Sequence, residues 1–493
     1  MRAEMDFKKN QEVIIQIDDL GNNGEGIGHV DGYALFVKEA LPGEKIRAGI
    51  MKCKKNYGFA RLLEVLEPSD ARVEPRCPVA RPCGGCTLQH LSYEQQLAYK
   101  ENKIRNCLER IGGVDFSKVE FLPILGMQEE EPWQYRNKAQ FPVRQQPDEN
   151  GRMRPVAGFY AGHSHRVIPM TDCAIQTPVM RDILQKVLAW MEQCRIPAYN
   201  EEKHIGLLRH IYIRTGYHTG EIMVCLVLHA PNIKKSGISQ GAFDALVANL
   251  TKIPGMASIC LNFNPENTNV ILGKKTKTLW GADTISDTIG GIRYRISPES
   301  FYQVNPIQTE KLYQTALDFA DLKPGETVWD LYCGIGTISL FLAKQLGENG
   351  QVIGVEIVPE AIENAKENAR LNGITNARFY AGAAEEVVPR LISPTGGEAA
   401  KADVVIVDPP RKGCHQTLLD TIALMAPQRI VYVSCDPATL ARDMKILGEK
   451  GYEVQKCRGC DMFPMGGHVE TVVLMSRGAV RPVDERFART QCH

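Results

Sequence analysis

Residues 327–347 read TVWDLYCGIGTISLFLAKQLG, a short apolar run, a glycine turn and a helix-forming stretch in immediate succession. An apolar run bounded by a turn fits a strand buried on both faces, as in a parallel sheet covered by helices. The pattern repeats outward: QVIGVEI at 351–357, EAIENAKENARLNG at 360–373, ADVVIVDPP at 402–410, QRIVYVSC at 428–435 and ETVVLMS at 470–476. Strand and helix alternating over 291–475 predict an α/β, doubly wound, Rossmann-like domain whose ligand lies beyond the C-terminal ends of its strands.

The turn Asp330-Leu-Tyr-Cys-Gly334-Ile-Gly336-Thr337 lets backbone approach a ligand at the end of the first strand. Glu356 ends the next strand, 20 residues after Gly336, where a carboxylate can bind both ribose hydroxyls. A glycine turn followed by an acid serves NAD as well as S-adenosylmethionine. Two features tilt the balance. The third glycine that seats a pyrophosphate is missing, Thr337 and Ile338 following instead. Asp408-Pro409-Pro410 ends a later strand, a motif that serves amino-group methylation of bases when an aromatic follows; here Arg411 follows, which speaks against exocyclic amine chemistry.

Cys435, in Val431-Tyr-Val-Ser434-Cys435-Asp436-Pro437, stands at the C-terminal end of another strand and just before a helix, whose N-terminus is expected to favour the thiolate. The alternative is a structural cysteine. Glu470 enters the apolar run VETVVLM, either as a surface-facing strand residue or as a buried carboxylate with raised pKa. One reaction joins the two. Carbon 5 of uracil is a poor nucleophile; a thiolate added at carbon 6 turns the ring into an enolate that accepts a methyl cation at carbon 5. A base must then remove the surplus proton before the thiolate leaves, which suits a carboxylate in a dry pocket.

A chain of 493 residues suggests about three domains at ~150 residues each. Residues 8–67 predict a small β-barrel of short alternating strands. Within 45–61 stand six basic residues, Lys45, Arg47, Lys52, Lys54, Lys55 and Arg61, with no acid and with Tyr57 and Phe59: an RNA platform or a solvated hairpin. Residues 68–290 predict a mixed α+β domain that opens on a cysteine cluster, Cys77, Cys83 and Cys86, with Cys173 further on. Three close cysteines and a remote fourth suit tetrahedral zinc as well as an iron–sulfur cluster. Residues 133–166 interleave six Lys/Arg with Trp133, Tyr135, Phe141, Phe159 and Tyr160, a candidate RNA track. Residues 476–493 form a polar tail. The 58 basic and 58 acidic residues cancel, so RNA binding must rest on local charge. No signal-peptide core or membrane-length apolar run is present, and an odd count of 15 cysteines fits a reducing compartment, so a cytoplasmic location is expected.

Taken together, Cys77-x5-Cys83-Gly-Gly-Cys86, Tyr135-Arg-Asn-Lys, Ser300-Phe-Tyr-Gln303-Val-Asn305, Asp330-Leu-Tyr-Cys-Gly, Asp408-Pro-Pro-Arg411, Ser434-Cys435-Asp-Pro and Gly467-His-Val-Glu470-Thr resemble the iron–sulfur, TRAM-domain RNA uracil-C5 methyltransferases. That group modifies 23S ribosomal RNA and has transfer-RNA-modifying relatives. The resemblance spans about residues 8–475. It implies a class I methyltransferase domain behind a TRAM barrel, Cys435 as nucleophile and Glu470 as proton acceptor. It places Gln303, Tyr332, Glu356 and Asp408 around S-adenosylmethionine and the base, and Phe301 near the flipped base, where the alternative is a core aromatic. Cys77, Cys83, Cys86 and Cys173 would hold a [4Fe–4S] cluster. It further implies RNA as partner, ribosomal in preference to transfer RNA, with no membrane and a monomeric enzyme. An acidic insert at about 393–401 departs from the commoner pattern. The competing classes are a redox protein, which would copurify with nicotinamide or flavin, and a non-catalytic RNA-binding protein, which would have no use for Cys435 and Glu470.

Overall fold

Alternation sets the first element. In β1 (Glu12–Leu20) Val13, Ile15 and Ile17 are buried while Glu12, Ile14 and Gln16 face outward, the period of two that closes a small barrel around one apolar lining. With β2 (Gly26–Val30), β3 (Tyr33–Lys38), β4 (Lys45–Cys53) and β5 (Tyr57–Glu67) it forms a closed barrel in the order β1-β2-β3-β5-β4. The expected N-terminal barrel is thus present. The computed structural model describes residues 7–128, 132–162, 164–392 and 402–478. The expected insert at 393–401 and the tail beyond 478 lie outside the described residues. The chain divides into two compact units: Met1–Lys100, Gly126–Thr309 and Asp461–His468 in one, Glu101–Leu125, Glu310–Cys460 and Val469–His493 in the other. The helices α1 (Tyr93–Arg110) and α4 (Pro306–Ala320) belong in part to each.

The first unit holds the barrel and a seven-stranded sheet. Its strands are β7 (Lys138–Pro147), β8 (Met153–Tyr160), β9 (Val167–Pro169), β10 (Leu208–Thr215), β11 (Ile222–Leu228), β12 (Met256–Phe263) and β13 (Lys275–Gly281), in the order β13-β12-β11-β10-β7-β8-β9. The helices α2 (Val179–Gln193) and α3 (Gln240–Leu250) bury Leu184, Trp190 and Leu246 against Phe141, Leu208 and Ile211. The α3 crossover is what allows β11 and β12 to run parallel. A hairpin of β14 (Ile285–Ile289) and β15 (Ile292–Ile296) follows.

The second unit is the expected α/β domain. Its strands are β6 (Glu120–Leu125), β16 (Thr327–Leu331), β17 (Gln351–Glu356), β18 (Ala377–Ala381), β19 (Val404–Val407), β20 (Arg429–Ser434), β21 (Tyr452–Cys460) and β22 (Glu470–Arg477). They form one sheet in the order β18-β17-β16-β19-β20-β22-β21-β6. The first five run parallel and β22 antiparallel to both its neighbours. All four residues of β19 are buried, as the unbroken Val-Val-Ile-Val run predicts. The helices are α5 (Thr337–Leu346), α6 (Pro359–Leu371), α7 (Ala384–Ile392), α8 (Gln416–Met425) and α9 (Pro437–Glu449). Strand order reverses at β16, with β17 on one side and β19 on the other, which opens a crevice at their C-terminal ends. Among the described residues, no helix is long and apolar enough to cross a membrane.

Candidate active site

The crevice begins with the glycine turn. Gly336 lies at φ +83°, and a Cβ there would stand 3.2 Å from Ala365 and Phe379, so only glycine carries β16 into α5 at this point. Glu356 is held at the end of β17 by two backbone donors: Gly334 N–H reaches Oε2 at 3.2 Å and Val358 N–H reaches Oε1 at 3.0 Å. That leaves a fixed carboxylate beside a close-approaching backbone. Beneath it Asp330 is buried, its Oδ2 accepting from the Ser339 hydroxyl and its Oδ1 without a hydrogen-bond partner. Burial pushes the Asp330 carboxyl up to about 7, with the Glu356 charge adding to the rise and Ser339 opposing it.

The expected nucleophile and base come from two neighbouring strands. The last register pair of β20 and β22 is Ser434 with Thr471; one position beyond it on the two strands stand Cys435 and Glu470. Asp408 follows the end of β19, next to β20 in the sheet. Glu470 is 4% exposed, and burial first, then the Asp408 charge, hold its carboxyl well above the ordinary carboxylate range. Asp408 is raised in turn, by burial and by Asp330. Cys435 is half-buried, and its thiol is pushed up to about 11 by burial, Glu470 and Asp408. This corrects the expectation that the helix N-terminus favours the thiolate: α9 spends its first donors on Asp436, whose carboxylate accepts from Ala438 and Thr439. The opposing charge comes from Arg411, which lowers both Cys435 and Glu470. In the sequence Arg411 stands out only as a missing aromatic, and Asp330 only as the start of a motif.

The remaining expected site residues have the following surroundings. Tyr332, at φ +78°, packs against the core of the second unit and shares a hydrogen bond with Cys414 behind the Asp408–Arg411 segment. Gln303 belongs to the first unit, is 7% exposed, and its carbonyl accepts from Asn137 Nδ2 at 3.0 Å. Phe301, in the same unit, is 64% exposed, so the core-aromatic alternative does not hold.

The cysteine cluster is also in the first unit. Its four cysteines are free thiols. The Cys77, Cys83 and Cys173 charges act on Cys86, and those of Cys77 and Cys83 act on Cys173; burial is the main cause that pushes Cys86 up to about 12 and Cys173 up to about 11. Gln89 is shared: its Oε1 accepts from the Cys77 N–H at 3.2 Å, and its side chain also hydrogen-bonds Cys86. Gly85 N–H reaches the Cys83 sulfur at 3.4 Å. Cys77, Cys83 and Cys86 line a cavity of about 1300 Å³ that also touches the barrel at Lys38 and Phe59. Among the described residues no three metal-competent side chains converge on the position of a single ion.

On the barrel, Phe36, Tyr57 and Phe59 form an aromatic cluster with centroids 5.6–5.8 Å apart, beside exposed Lys52, Lys54 and Lys55. Lys45 and Arg47 are tied instead to Glu67, Glu64 and Glu12. The candidate track at 133–166 needs correction. Phe141 is 1% exposed and sits in the core, Tyr135 is 4% exposed with its hydroxyl on the Pro464 carbonyl, and Arg144 and Arg154 are paired with Glu201 and with Asp148 and Glu192. Strand pairing turned Phe141 inward and carboxylate partners occupy the two arginines, which local composition does not reveal.

Comparison with known proteins agrees with this layout. The family described as tRNA (Uracil-5-)-methyltransferase matches residues 268–478, and the TRAM domain matches residues 6–63. An uncharacterised RNA methyltransferase of Halalkalibacterium halodurans is 49% identical over 475 residues, covering 96% of this chain and 99% of the relative. One from Clostridium acetobutylicum is 47% identical over 477 residues, covering 97% and 99%. The crystal structure of Pyrococcus abyssi tRNA (uracil-54, C5)-methyltransferase in complex with S-adenosyl-L-homocysteine superposes with a TM-score of 0.72 at 28% identity, covering 94% of this chain and 99% of that one.

Proposed function

Because this chain belongs to the tRNA (uracil-5-)-methyltransferase family of RNA methyltransferases and carries a TRAM domain, we propose that it methylates carbon 5 of a uracil in RNA through a covalent adduct on Cys435. The observation that carries this reading is the placement of Cys435 and Glu470 one position beyond the same strand pair, with Arg411 acting on both. S-adenosylmethionine, held by the glycine turn and Glu356, supplies an electrophilic methyl group and a positive sulfonium. Cys435 adds as the thiolate, its proton having left to solvent: the C6–S bond forms and the C5–C6 π electrons pass into an enolate that is nucleophilic at carbon 5. Once carbon 5 carries the methyl group, Glu470 removes its proton, the C5–C6 double bond re-forms and the C6–S bond breaks. Asp408 keeps Glu470 a strong enough base for that step, and Arg411 offsets the charge the thiolate brings. The base must leave its stack to reach Cys435, as in other enzymes that work on nucleobases.

Cys77, Cys83, Cys86 and Cys173 would hold a [4Fe–4S] cluster. A cubane binds each thiolate at a different iron, so its ligands stand around a wider cage than the single point zinc requires. One buried and three half-buried thiols, of which Cys86 and Cys173 feel the charge of the others, with Gly85 N–H and Gln89 donating to sulfur, suit such a cage. Held there, the cluster would tie the 77–86 loop to the Cys173 segment.

Ribosomal RNA is the proposed substrate; the archaeal structural neighbour favours transfer RNA as the second reading. Incubating purified enzyme and S-adenosylmethionine separately with unmodified 23S ribosomal RNA and transfer RNA, then mapping 5-methyluridine by mass spectrometry, distinguishes them. Methylation at carbon 5 of a uridine in ribosomal RNA is the expected result. Methyl groups only on amino nitrogens or ribose would refute the proposal.

A further inference from the structure

The segment that carries Asp408 and Arg411 leaves the sheet and would be free to drift from Cys435 unless something held it. One helix face does so. From α9, Thr439 Oγ1 donates to the Arg411 carbonyl at 3.1 Å, and Arg442 Nη2 donates to the carbonyls of Lys412 at 3.0 Å and Cys414 at 3.3 Å. Asp443, wholly buried, accepts the Cys414 N–H at 2.8 Å and the Tyr432 hydroxyl at 2.6 Å on Oδ2, and Arg442 Nε at 2.8 Å on Oδ1. Residues 439, 442 and 443 share a face at i, i+3 and i+4 spacing. Gly413, at φ +74°, admits the close approach: a Cβ there would lie 2.6 Å from both Asp443 Oδ2 and Arg442 Nη2. The same helix starts at Pro437, directly after Cys435 and its cap Asp436.

We propose that Asp443, with Thr439 and Arg442, is a positioning residue that clasps the Asp408–Arg411 segment to the helix following Cys435, so that Arg411 is held beside the reacting sulfur. None of the three touches the reacting atoms. A buried carboxylate holding a backbone N–H, a phenol and a guanidinium is costly to keep in a core unless each partner is used. Here every partner lies on the segment, on the strand that ends at Cys435, or on α9. The inference rests on the reading of Cys435 as nucleophile and extends it to what orients the cation beside that sulfur. The charged groups facing Cys435 are Glu470 on β22, Asp408 after β19, and Arg411.

The test uses the full-length holoenzyme and compares Asp443→Asn, Thr439→Val and Thr439→Ser with wild type. Alkylation of Cys435 by iodoacetamide, followed by peptide mass spectrometry across pH, reads the ionisation of that thiol; kcat, KM and S-adenosylmethionine affinity are measured alongside. Asp443→Asn and Thr439→Val are expected to move the Cys435 alkylation midpoint to higher pH. They should lower kcat by up to about 100-fold, as misplacement by ~1 Å can, while S-adenosylmethionine affinity stays at the wild-type value. Thr439→Ser keeps the hydroxyl and should restore both readouts. Should Asp443→Asn fail to fold, the Thr439 pair decides alone. Wild-type alkylation and kcat in Thr439→Val, with Cys435→Ala inactive, would overturn the clasp while leaving the nucleophile in place; turnover by Cys435→Ala would sink the nucleophile reading by itself.

Discussion

The proposed reaction needs an ionised thiol to attack and an ionised carboxylate to take up a proton, yet Cys435 and Glu470 stand together one position beyond the same strand pair. Burial first, with the Asp408 charge on both and the Glu470 charge on Cys435, raises Cys435 and Glu470 toward their neutral forms, and Arg411 is the group that works the other way. Removing it should therefore raise both pKa values and make both reactive forms scarcer at a given pH. For Arg411→Gln, the rising limb of the rate–pH profile is expected to move up by about one unit, with kcat at neutral pH falling roughly tenfold. A profile identical to wild type would mean that the guanidinium plays no such part. That Cys435 and Glu470 stand together at strand ends was legible in the sequence because each lies where a strand run meets a turn, and the reaction expected there requires both. Arg411 and Asp330 were not, since a cation or an acid beside a motif acquires meaning only once its neighbours in space are known.

At the scale of elements, periodicity told more than composition. The unbroken apolar runs of β16, β17, β19, β20 and β22 and the alternation of β1 announce a covered parallel sheet and a barrel. β6, by contrast, half-buried and amphiphilic, joins the edge of the second unit's sheet next to β21, a pairing no local pattern predicts. Phe141 of β7 misled for the same reason, because pairing and not composition decides which face it takes. The basic tip of the β4–β5 hairpin, with exposed Lys52, Lys54 and Lys55, is the surface we propose as the RNA platform. Changing Lys52, Lys54 and Lys55 together to Glu should weaken RNA binding and flatten the slope of log K against log salt by about 0.7 for each phosphate no longer neutralised. S-adenosylmethionine affinity is expected to stay constant, and an unchanged salt slope would remove the barrel from the RNA path. In the cysteine loop, anaerobically purified protein should be brown, with about four irons and four sulfides per chain, as a [4Fe–4S] site requires. Cys86→Ser should lose the colour; stoichiometric zinc without iron would contradict the cluster.

For the whole molecule, opposite charges cancel overall and function rests on local concentrations of charge: lysines on the barrel, acids at the mouth of the α/β sheet and one arginine among them. The proposed chemistry requires RNA to be held while a single base is taken up and released, and in that proposal release depends on Glu470. Glu470→Gln keeps the shape of the side chain but cannot accept a proton, so addition and methylation proceed while the carbon 5 proton stays and the C6–S bond persists. The direct measurement is denaturing electrophoresis of Glu470→Gln incubated with RNA and radiolabelled methyl donor, beside Cys435→Ala. The account predicts a labelled, denaturant-resistant band shifted by the mass of the RNA for Glu470→Gln and neither band nor product for Cys435→Ala; release of methylated RNA at the wild-type rate by either variant, with no adduct, would contradict it.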